Sequence, residues 1–367
     1  MVDQEAMMGY ILEEPGIIKR IYENRAEITK DFVQYFLNHP VKRVYLSGTG
    51  SPRHVCIVMA QMMEKLLGVE ASCEIPTIFN NHSQFNMNGV YKKDELLLIV
   101  PAQSGRTAGP YWTALKAKEA GVPILCTTLH PDGKLAQLCE VVIDKGTGRE
   151  ESFPESKGHI ASLAILSMCI IETAHALKRL EDTAYDAYLR AFDRLPDSCE
   201  RALRVTETWY EKNKYKLISQ PALTILGYGP NFGTALEGAL KILESTLKTV
   251  VAYEAEEYMH GIMEPIKKDS VIFFICPSDS PVEQERMHTL INYTRKICDN
   301  CIVLCRPEDP CADENAIICD FTDCEFLDTM EYLVPFQFIC HRMARDMGLS
   351  TIDSQLDGSC EALGCRV

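Results

Sequence analysis

The sequence predicts an α/β protein made of two tandem domains with the same topology. Four short apolar runs, each typical of a buried strand, recur in the same order in the two halves, 175 to 179 residues apart. Helical stretches separate these runs, as in a parallel sheet covered on both faces. We therefore predict that each half is a doubly wound parallel sheet sandwich of the flavodoxin-like type. The matched runs are Val44–Gly50 with Thr224–Gly229, Leu96–Val100 with Val271–Ile275, Pro123–Cys126 with Ile302–Cys305, and Val141–Asp144 with Ile317–Asp320.

The helices and domain limits follow from the same pattern. Periodicity predicts helices over residues 17–37, 52–67 and 111–120, and mostly helical chain over 161–212. We predict an N-terminal domain over residues 1–200, a C-terminal domain over 201–350 and a tail over 351–367, with the domain boundary within 195–215. The alternative is one large domain with accidental similarity, which four recurrences in order disfavour.

Charge and apolar content limit the partners. The formal net charge is −15, which repels nucleic acid and anionic lipid, so neither is an expected partner. The first fifteen residues carry four acids and no basic run, unlike a signal or transit peptide. The longest apolar run, residues 160–171, is too short to cross a bilayer. These features predict a cytoplasmic protein without a membrane partner.

The sixteen cysteines lie mostly within apolar runs, which favours reduced core thiols over disulfides in this setting. Cys298 and Cys301 form a C-x-x-C pair, the spacing of many zinc sites. Cys301 and Cys305, however, belong to one strand-like run and are placed to share a sheet face. We expect structural thiols here and no metal, with zinc as the alternative.

Two hydroxyl-rich loops follow the first two strands of the repeat. Ser47-Gly48-Thr49-Gly50-Ser51 turns into the first helix, and Gln103-Ser104-Gly105-Arg106-Thr107 leads into the next. Backbone N–H groups, hydroxyls and a helix start together match the needs of a phosphate monoester. In parallel sheets such loops meet beyond the carboxyl ends of the strands. The phosphate-binding candidates are Gly48, Thr49, Gly50, Ser51, Gln103, Ser104 and Thr107.

The same loops argue against a nucleotide cofactor. Three residues after Gly50 stands Arg53, where a dinucleotide fingerprint has its third glycine. A Walker lysine is also missing from the turn. We therefore predict no cofactor.

A helix over residues 235–248 carries the acid–base candidates. Its apolar stripe is Leu236, Leu240, Leu243 and Leu247, and its other face pairs Glu237 with Lys241 and Glu244 with Lys248. As surface pairs these are worth a few tenths of a kcal/mol. Lys241 and Glu244 are also one turn apart on one face. His260 follows in an acidic turn.

The two loops and the tandem repeat resemble the sugar isomerase (SIS) domain family, in which the corresponding Ser-Gly-x-Thr loop wraps a sugar phosphate. The similarity spans nearly the whole chain. Ala102 stands where many members have Ser, which removes one hydroxyl donor. The second copy of the loop, residues 276–280, contains an acid and lacks Gly-x-Thr, so that half is not expected to hold phosphate.

Leu-Glu237-Gly-Ala-Leu-Lys241-x-x-Glu244, followed after 16 residues by His260-Gly261, is similar to fructosamine 6-phosphate deglycases and to the isomerase half of glutamine:fructose-6-phosphate amidotransferase. The resemblance implies that Glu244 moves a proton between two sugar carbons. It further implies that His260 acts at the ring oxygen or as a general acid, and that Lys241 stabilises the anion or restrains the glutamate.

The same resemblance separates the candidate activities. No amidotransferase region precedes the similar part, so aminotransfer is not expected, and residues 352–367 contain no lysine to match the one that opens the ring in that family. A deglycase acting on an amino-acid adduct of a hexose 6-phosphate is therefore the first interpretation. An aldose–ketose or amino-sugar phosphate isomerase and a non-catalytic sugar-phosphate sensor remain alternatives. The family also implies a homodimer.

Overall fold

The structure, a computed structural model, describes residues 5–277, 279–354, 356 and 358–367. It contains two five-stranded sheets in which every paired strand is parallel. The first sheet comprises β1 Arg43–Ser47, β2 Glu70–Glu74, β3 Leu96–Pro101, β4 Ile124–Thr128 and β5 Val141–Asp144. The second comprises β6 Ala222–Gly227, β7 Thr249–Glu254, β8 Val271–Ile275, β9 Asn300–Cys305 and β10 Ile317–Ile318.

Helices connect the strands of both sheets. They are α1 Ala6–Glu23, α2 Arg25–Asn38, α3 Ser51–Leu67, α4 Pro76–His82, α5 Ala108–Ala120, α6 Lys157–Ala176, α7 Asp182–Ser219, α8 Pro230–Thr246, α9 Ala255–Glu257, α10 Pro281–Thr294, α11 Asp328–Asp346 and α12 Ser359–Ala362. Short turns of helix lie at Lys93–Glu95, Ala136–Leu138 and Tyr258–Ile262. The expected helix over 17–37 is two helices, which meet at Asn24.

The two sheets have the same strand order, which confirms the predicted fold class. The first runs β2-β1-β3-β4-β5 and the second β7-β6-β8-β9-β10, the flavodoxin-like arrangement in both cases. The central strands are buried along their whole length, as the continuous apolar runs predicted. The order reverses beside β1 in one sheet and beside β6 in the other, so ligands are expected at the loops that follow these strands.

The chain divides into two compact units that are not simple halves. The first-sheet unit contains Ile17–Glu150, Lys157–Arg190 and Ser354–Val367. The second-sheet unit contains Met1–Gly16, Glu151–Ser156 and Ala191–Asp353. The predicted division, by contrast, is sequential. Its boundary region, 195–215, lies inside the continuous helix α7, which runs from one unit into the other.

Helix α6 forms part of the core of the first-sheet unit. It is long and apolar enough to cross a membrane by length and composition, but 83% of its apolar window is buried in the folded protein. It packs against α2 and α3. The burial is that of a core helix, although the helix is longer than the apolar run noted in the sequence.

All sixteen cysteines are free thiols. Cys298 and Cys301 are buried, and Cys301 shares a core cluster with Cys305, as the placement on one strand face predicted. The burial of these side chains suits structural thiols.

Candidate functional site

The backbone of the turn after β1 packs closely against the start of α3. Gly48 is buried, and a Cβ atom there would lie 2.6 Å from the carbonyl carbon of Pro52, so only glycine fits. Gly50 has a φ of +66° and caps the N-terminus of α3, a conformation that favours glycine. Thr49, between them, is exposed, and Ser51 is buried in the first turn of the helix. The turn therefore presents one exposed hydroxyl beside a helix start.

The loop after β3 repeats this design. Gln103, Ser104 and Gly105 are half-buried, and Gly105 has a φ of +63°. The Ser104 hydroxyl accepts a hydrogen bond from the N–H of Arg106, at 3.3 Å. Thr107 is exposed and occupies the N-cap position of α5, where its side chain makes no capping bond.

The structure brings the two loops to the same edge of the sheet. β1 and β3 are hydrogen-bonded neighbours, with Leu46 opposite Ile99, and the strand order reverses between them. The hydroxyl of Thr49 would lie 3.7 Å from a Cβ at Gly109, in the first turn of α5. The predicted phosphate-binding residues thus lie in a cluster on two neighbouring loops of the first-sheet unit, and their role in binding phosphate stays a prediction.

Sequence reasoning missed Lys145, which supports this cluster. Its side chain is 1% exposed, and Nζ donates to Oε1 of Gln103 at 2.8 Å and to the carbonyl of Gly158 at 3.1 Å. The bond holds the Gln103 amide by its oxygen, so its NH2 group remains to donate to a ligand. Lys145 directly follows β5, and applying the carboxyl-end rule to all strands, not only the first two, finds it.

The end of the sequence packs against the second loop. The N–H of Ala108 donates to the carbonyl of Cys365 at 2.9 Å, and the N–H of Val367 donates to the carbonyl of Arg106 at 2.9 Å. Thr107 and Arg366 form an antiparallel bridge. The first amide of α5 is therefore occupied by the chain itself. The expectation of free N–H groups at that helix start is therefore wrong for Ala108, whose amide is not available to a ligand.

In the second-sheet unit, Lys241 lies between two carboxylates on α8. Its Nζ is 2.9 Å from Oε2 of Glu244 and 3.4 Å from Oε1 of Glu237. Lys241 and Glu237 are 1% and 0% exposed, whereas the Glu244 side chain is 19% exposed. Burial works against the lysine charge, but the carboxylates of Glu237 and Glu244 outweigh it and raise the pKa of Lys241. The lysine is thus a fixed buried cation, and Glu244 is its partner that reaches solvent.

The predicted faces of this helix are wrong. Leu243 and Leu247 are 41% and 53% exposed, while Glu237 and Lys241 are buried. The reason is close packing on α11: a Cβ at Gly238 would lie 2.7 Å from the Phe336 ring, so the small-residue face turns inward.

The predicted Glu244–Lys248 surface pair is also absent from the described structure. Lys248 instead donates to the carbonyls of Ile218 and Gln220, at 2.8 and 2.7 Å. Glu244 accepts a hydrogen bond from Lys241, one turn earlier in the helix.

His260 lies on an exposed turn after β7. Its side chain is 72% exposed, and Nε2 is 3.7 Å from Oε1 of Glu256. The next residue, Gly261, has a φ of +98°, which shapes the turn. In the part of the chain that the structure describes, Glu256 is the polar partner of His260, so a single chain does not bring His260 into contact with Glu244.

The loop after β8 differs from its counterpart after β3. Its Ser278 lies outside the described residues. Asp279 is half-buried, and burial, followed by the negative charges of Glu325, Asp323 and Glu283, raises the pKa of Asp279 to about 6. These acids repel phosphate, and the expectation that this half does not hold phosphate stays a prediction.

Comparisons with known proteins bear on both units. A family model described as "SIS domain" matches residues 39–172 and 216–325. The chain is 25% identical over 351 residues to glutamine–fructose-6-phosphate aminotransferase [isomerizing] of Gloeobacter violaceus, covering 94% of this chain and 56% of that protein. The chain spans about half the length of the curated relatives it matches.

Solved structures share the fold. A Clostridium difficile 630 protein assigned as a phosphosugar isomerase superposes with a TM-score of 0.86 at 21% identity, covering 98% of this chain and 99% of that one. The C-terminal domain of glucosamine-fructose-6-phosphate aminotransferase from Francisella tularensis gives 0.84 at 18% identity, covering 94% and 97%.

Proposed function

Since the chain belongs to the SIS domain family, we propose that it binds a sugar phosphate and moves a proton on the sugar with Glu244 as the base. The observation that carries this proposal is the pairing of Glu244 with Lys241. A cation buried to 1% exposure holds one carboxylate oxygen, and the carboxylate is 19% exposed. A positioned carboxylate of this kind is suited to take up and return a proton.

Phosphate recognition is assigned to the first-sheet unit. The hydroxyls of Thr49, Ser104 and Thr107 and the amide of Gln103 supply neutral donors, and the glycines allow close backbone approach. Charge-assisted bonds to a phosphate are about twice as strong as neutral ones. Such a local site works despite the net charge of −15, because the donors act within hydrogen-bond range.

The preferred reaction is deglycation. Glu244 removes a proton from C1 of a ketoamine 6-phosphate while a general acid protonates the oxygen on C2, giving an enaminol. Glu244 then returns its proton to C2, and the N–H proton passes back to the general acid, which leaves a C1=N imine. Water then adds to C1 and the C–N bond breaks, so the products are hexose 6-phosphate and the free amine. Lys241 holds Glu244 in place and offsets negative charge that develops nearby.

We assign the general-acid role to His260 of a second copy in a homodimer. In one chain His260 is 72% exposed and contacts Glu256 only weakly, at 3.7 Å. Leu243 and Leu247, which flank Glu244, are exposed apolar side chains that a second copy would cover. Both features support a site completed by a partner.

Isomerisation is the second candidate, because the same Glu244 step without imine hydrolysis interconverts an aldose and a ketose. The G. violaceus relative is named an isomerizing enzyme, which supports isomerisation as a candidate activity of this chain. A sensor that binds without turnover is the third. We expect a cytoplasmic location in each case.

The test is to incubate the purified chain with a panel of phosphorylated ketoamines and, separately, with hexose 6-phosphates. Release of hexose 6-phosphate and amine in equal amounts supports the deglycase. Interconversion of hexose 6-phosphates alone supports the isomerase. Binding by calorimetry without either reaction supports the sensor, and the absence of both binding and turnover contradicts the proposal.

A further inference from the structure

Three side chains that the proposed function does not use meet beyond the second sheet. Cys276 directly follows β8, His288 lies on α10, and Asp309 lies in the loop after β9. The Cys276 Sγ is 3.2 Å from Oδ2 of Asp309, and Nε2 of His288 is 3.0 Å from the same oxygen. All three potential ligand atoms lie within 4.8 Å of one another.

The two separations from Oδ2 of Asp309 are close to those around a tetrahedral zinc ion. With Zn–S of about 2.3 Å and Zn–O and Zn–N of about 2.0 Å, tetrahedral angles place sulfur about 3.5 Å from oxygen and nitrogen about 3.3 Å from oxygen. The observed distances are shorter by about 0.3 Å in both cases, so small side-chain shifts suffice. The thiol, imidazole and carboxylate come from three separate elements and converge without backbone movement.

The surroundings suit a divalent cation. Cys276 is 2% exposed and the Asp309 side chain 4%, and a thiolate with a carboxylate cancels a charge of +2. The other oxygen of Asp309 accepts the N–H of Cys311 at 2.7 Å, which orients Oδ2 towards the sulfur and the imidazole. His288 is 17% exposed at its side chain and gives the ion a route to solvent.

We propose that Cys276, His288 and Asp309 bind one Zn²⁺ ion, with the fourth position taken by water. Three protein ligands and an open position distinguish this site from closed structural sites of four cysteines or histidines. Binding replaces the thiol proton of Cys276, which leaves to solvent, with the metal. The proposal is independent of the phosphosugar reaction, because it uses no residue assigned to that reaction.

The alternative is a metal-free cluster in which the thiol and the imidazole donate to the carboxylate. The absorption spectrum of bound cobalt distinguishes the zinc site from the metal-free cluster. A Co²⁺ ion bound in place of zinc to the purified, chelator-treated chain shows sulfur-to-metal charge-transfer absorption only if a cysteine is a ligand, and loss of this band in Cys276→Ser assigns it to Cys276 rather than to another of the sixteen thiols. Zinc content is measured in parallel by mass spectrometry of the protein as purified, and affinity by competition with a chromophoric chelator.

The variants are Cys276→Ser and His288→Ala, with His175→Ala as the matched control. His175 also pairs with an aspartate, Asp182, at 3.0 Å, but does not belong to the group of three potential ligands found among the described residues. We expect about one zinc per chain and the cobalt charge-transfer band in wild type and control, and an affinity lower by at least about tenfold in both site variants. His288→Ala serves if Cys276→Ser does not fold, because His288 is partly exposed.

Two results overturn the proposal. One is a wild type that takes up no zinc and shows no charge-transfer band with cobalt. The other is zinc bound equally by wild type and His288→Ala, which identifies an adventitious ion only.

Discussion

Replacing Lys241 with methionine tests whether Glu237, Lys241 and Glu244 form a buried charged group of three on α8. The variant removes the cation that lies 2.9 Å from Glu244 and 3.4 Å from the fully buried Glu237. Breaking a buried ion pair from one side costs about 3–5 kcal/mol, because a carboxylate stays buried without that cation. For a unit of this size the loss lowers Tm by roughly 10 °C.

The assay is thermal and urea unfolding of wild type, Lys241→Met and a matched control, Lys248→Met. Lys248 is half-buried just after the C-terminal end of α8 and, in the part of the chain that the structure describes, donates to two carbonyls. Its loss is therefore expected to cost about 1 kcal/mol. The double variant Glu237→Gln/Lys241→Met is expected to recover part of the loss, because the buried carboxylate is gone. A Lys241→Met variant no less stable than Lys248→Met refutes the buried group of three.

Three further predictions concern phosphate, pH and assembly. Ser104→Ala and Thr107→Val are each expected to raise KM for a sugar phosphate roughly tenfold, about 1.4 kcal/mol of a lost charge-assisted bond, and an unchanged KM in both moves the phosphate site elsewhere. The pKa of Asp279, about 6 when folded, is above the unfolded value of about 4, so its ionisation costs stability as pH rises from about 4 to 6. Asp279→Asn should therefore raise Tm at pH 7 and not at pH 4, and a Tm difference independent of pH contradicts this. Mixing inactive Glu244→Gln with His260→Ala should restore about a quarter of wild-type activity if each site uses two copies, whereas light scattering of a fully active monomer excludes the homodimer.

Continuous apolar runs made the central strands predictable. Leu96–Val100 and Val271–Ile275 lie within or coincide with β3 and β8, because strands covered on both faces need no polar alternation. The edge strands β2 and β7 were not predicted. Both are only partly buried. No apolar run marks Glu70–Glu74, whereas β7 contains the short apolar run Val250–Tyr253, which has no match among the repeated runs used for the prediction.

The helix that carries the acid–base candidates shows where periodicity fails. The leucine spacing was correct as a pattern, but the inward face of α8 is decided by Gly238 against Phe336, almost 100 residues later in the chain. Lys241 and Glu244 were correctly identified as neighbours on one face. That the lysine is buried follows from tertiary packing, which a local pattern does not contain.

The most direct test of the central claim compares turnover with ligand binding in Glu244→Gln. Glutamine keeps the shape and a hydrogen-bond acceptor for Lys241 but does not accept the proton. We predict turnover lower by roughly 10² to 10⁴, with calorimetric binding of hexose 6-phosphate retained. Glu207→Gln, which removes a carboxylate paired with Arg342 in the same unit, is the control and should keep its turnover. A fully active Glu244→Gln variant contradicts the assignment of Glu244 as the base, and an inactive wild type that still binds the sugar phosphate supports a sensor instead.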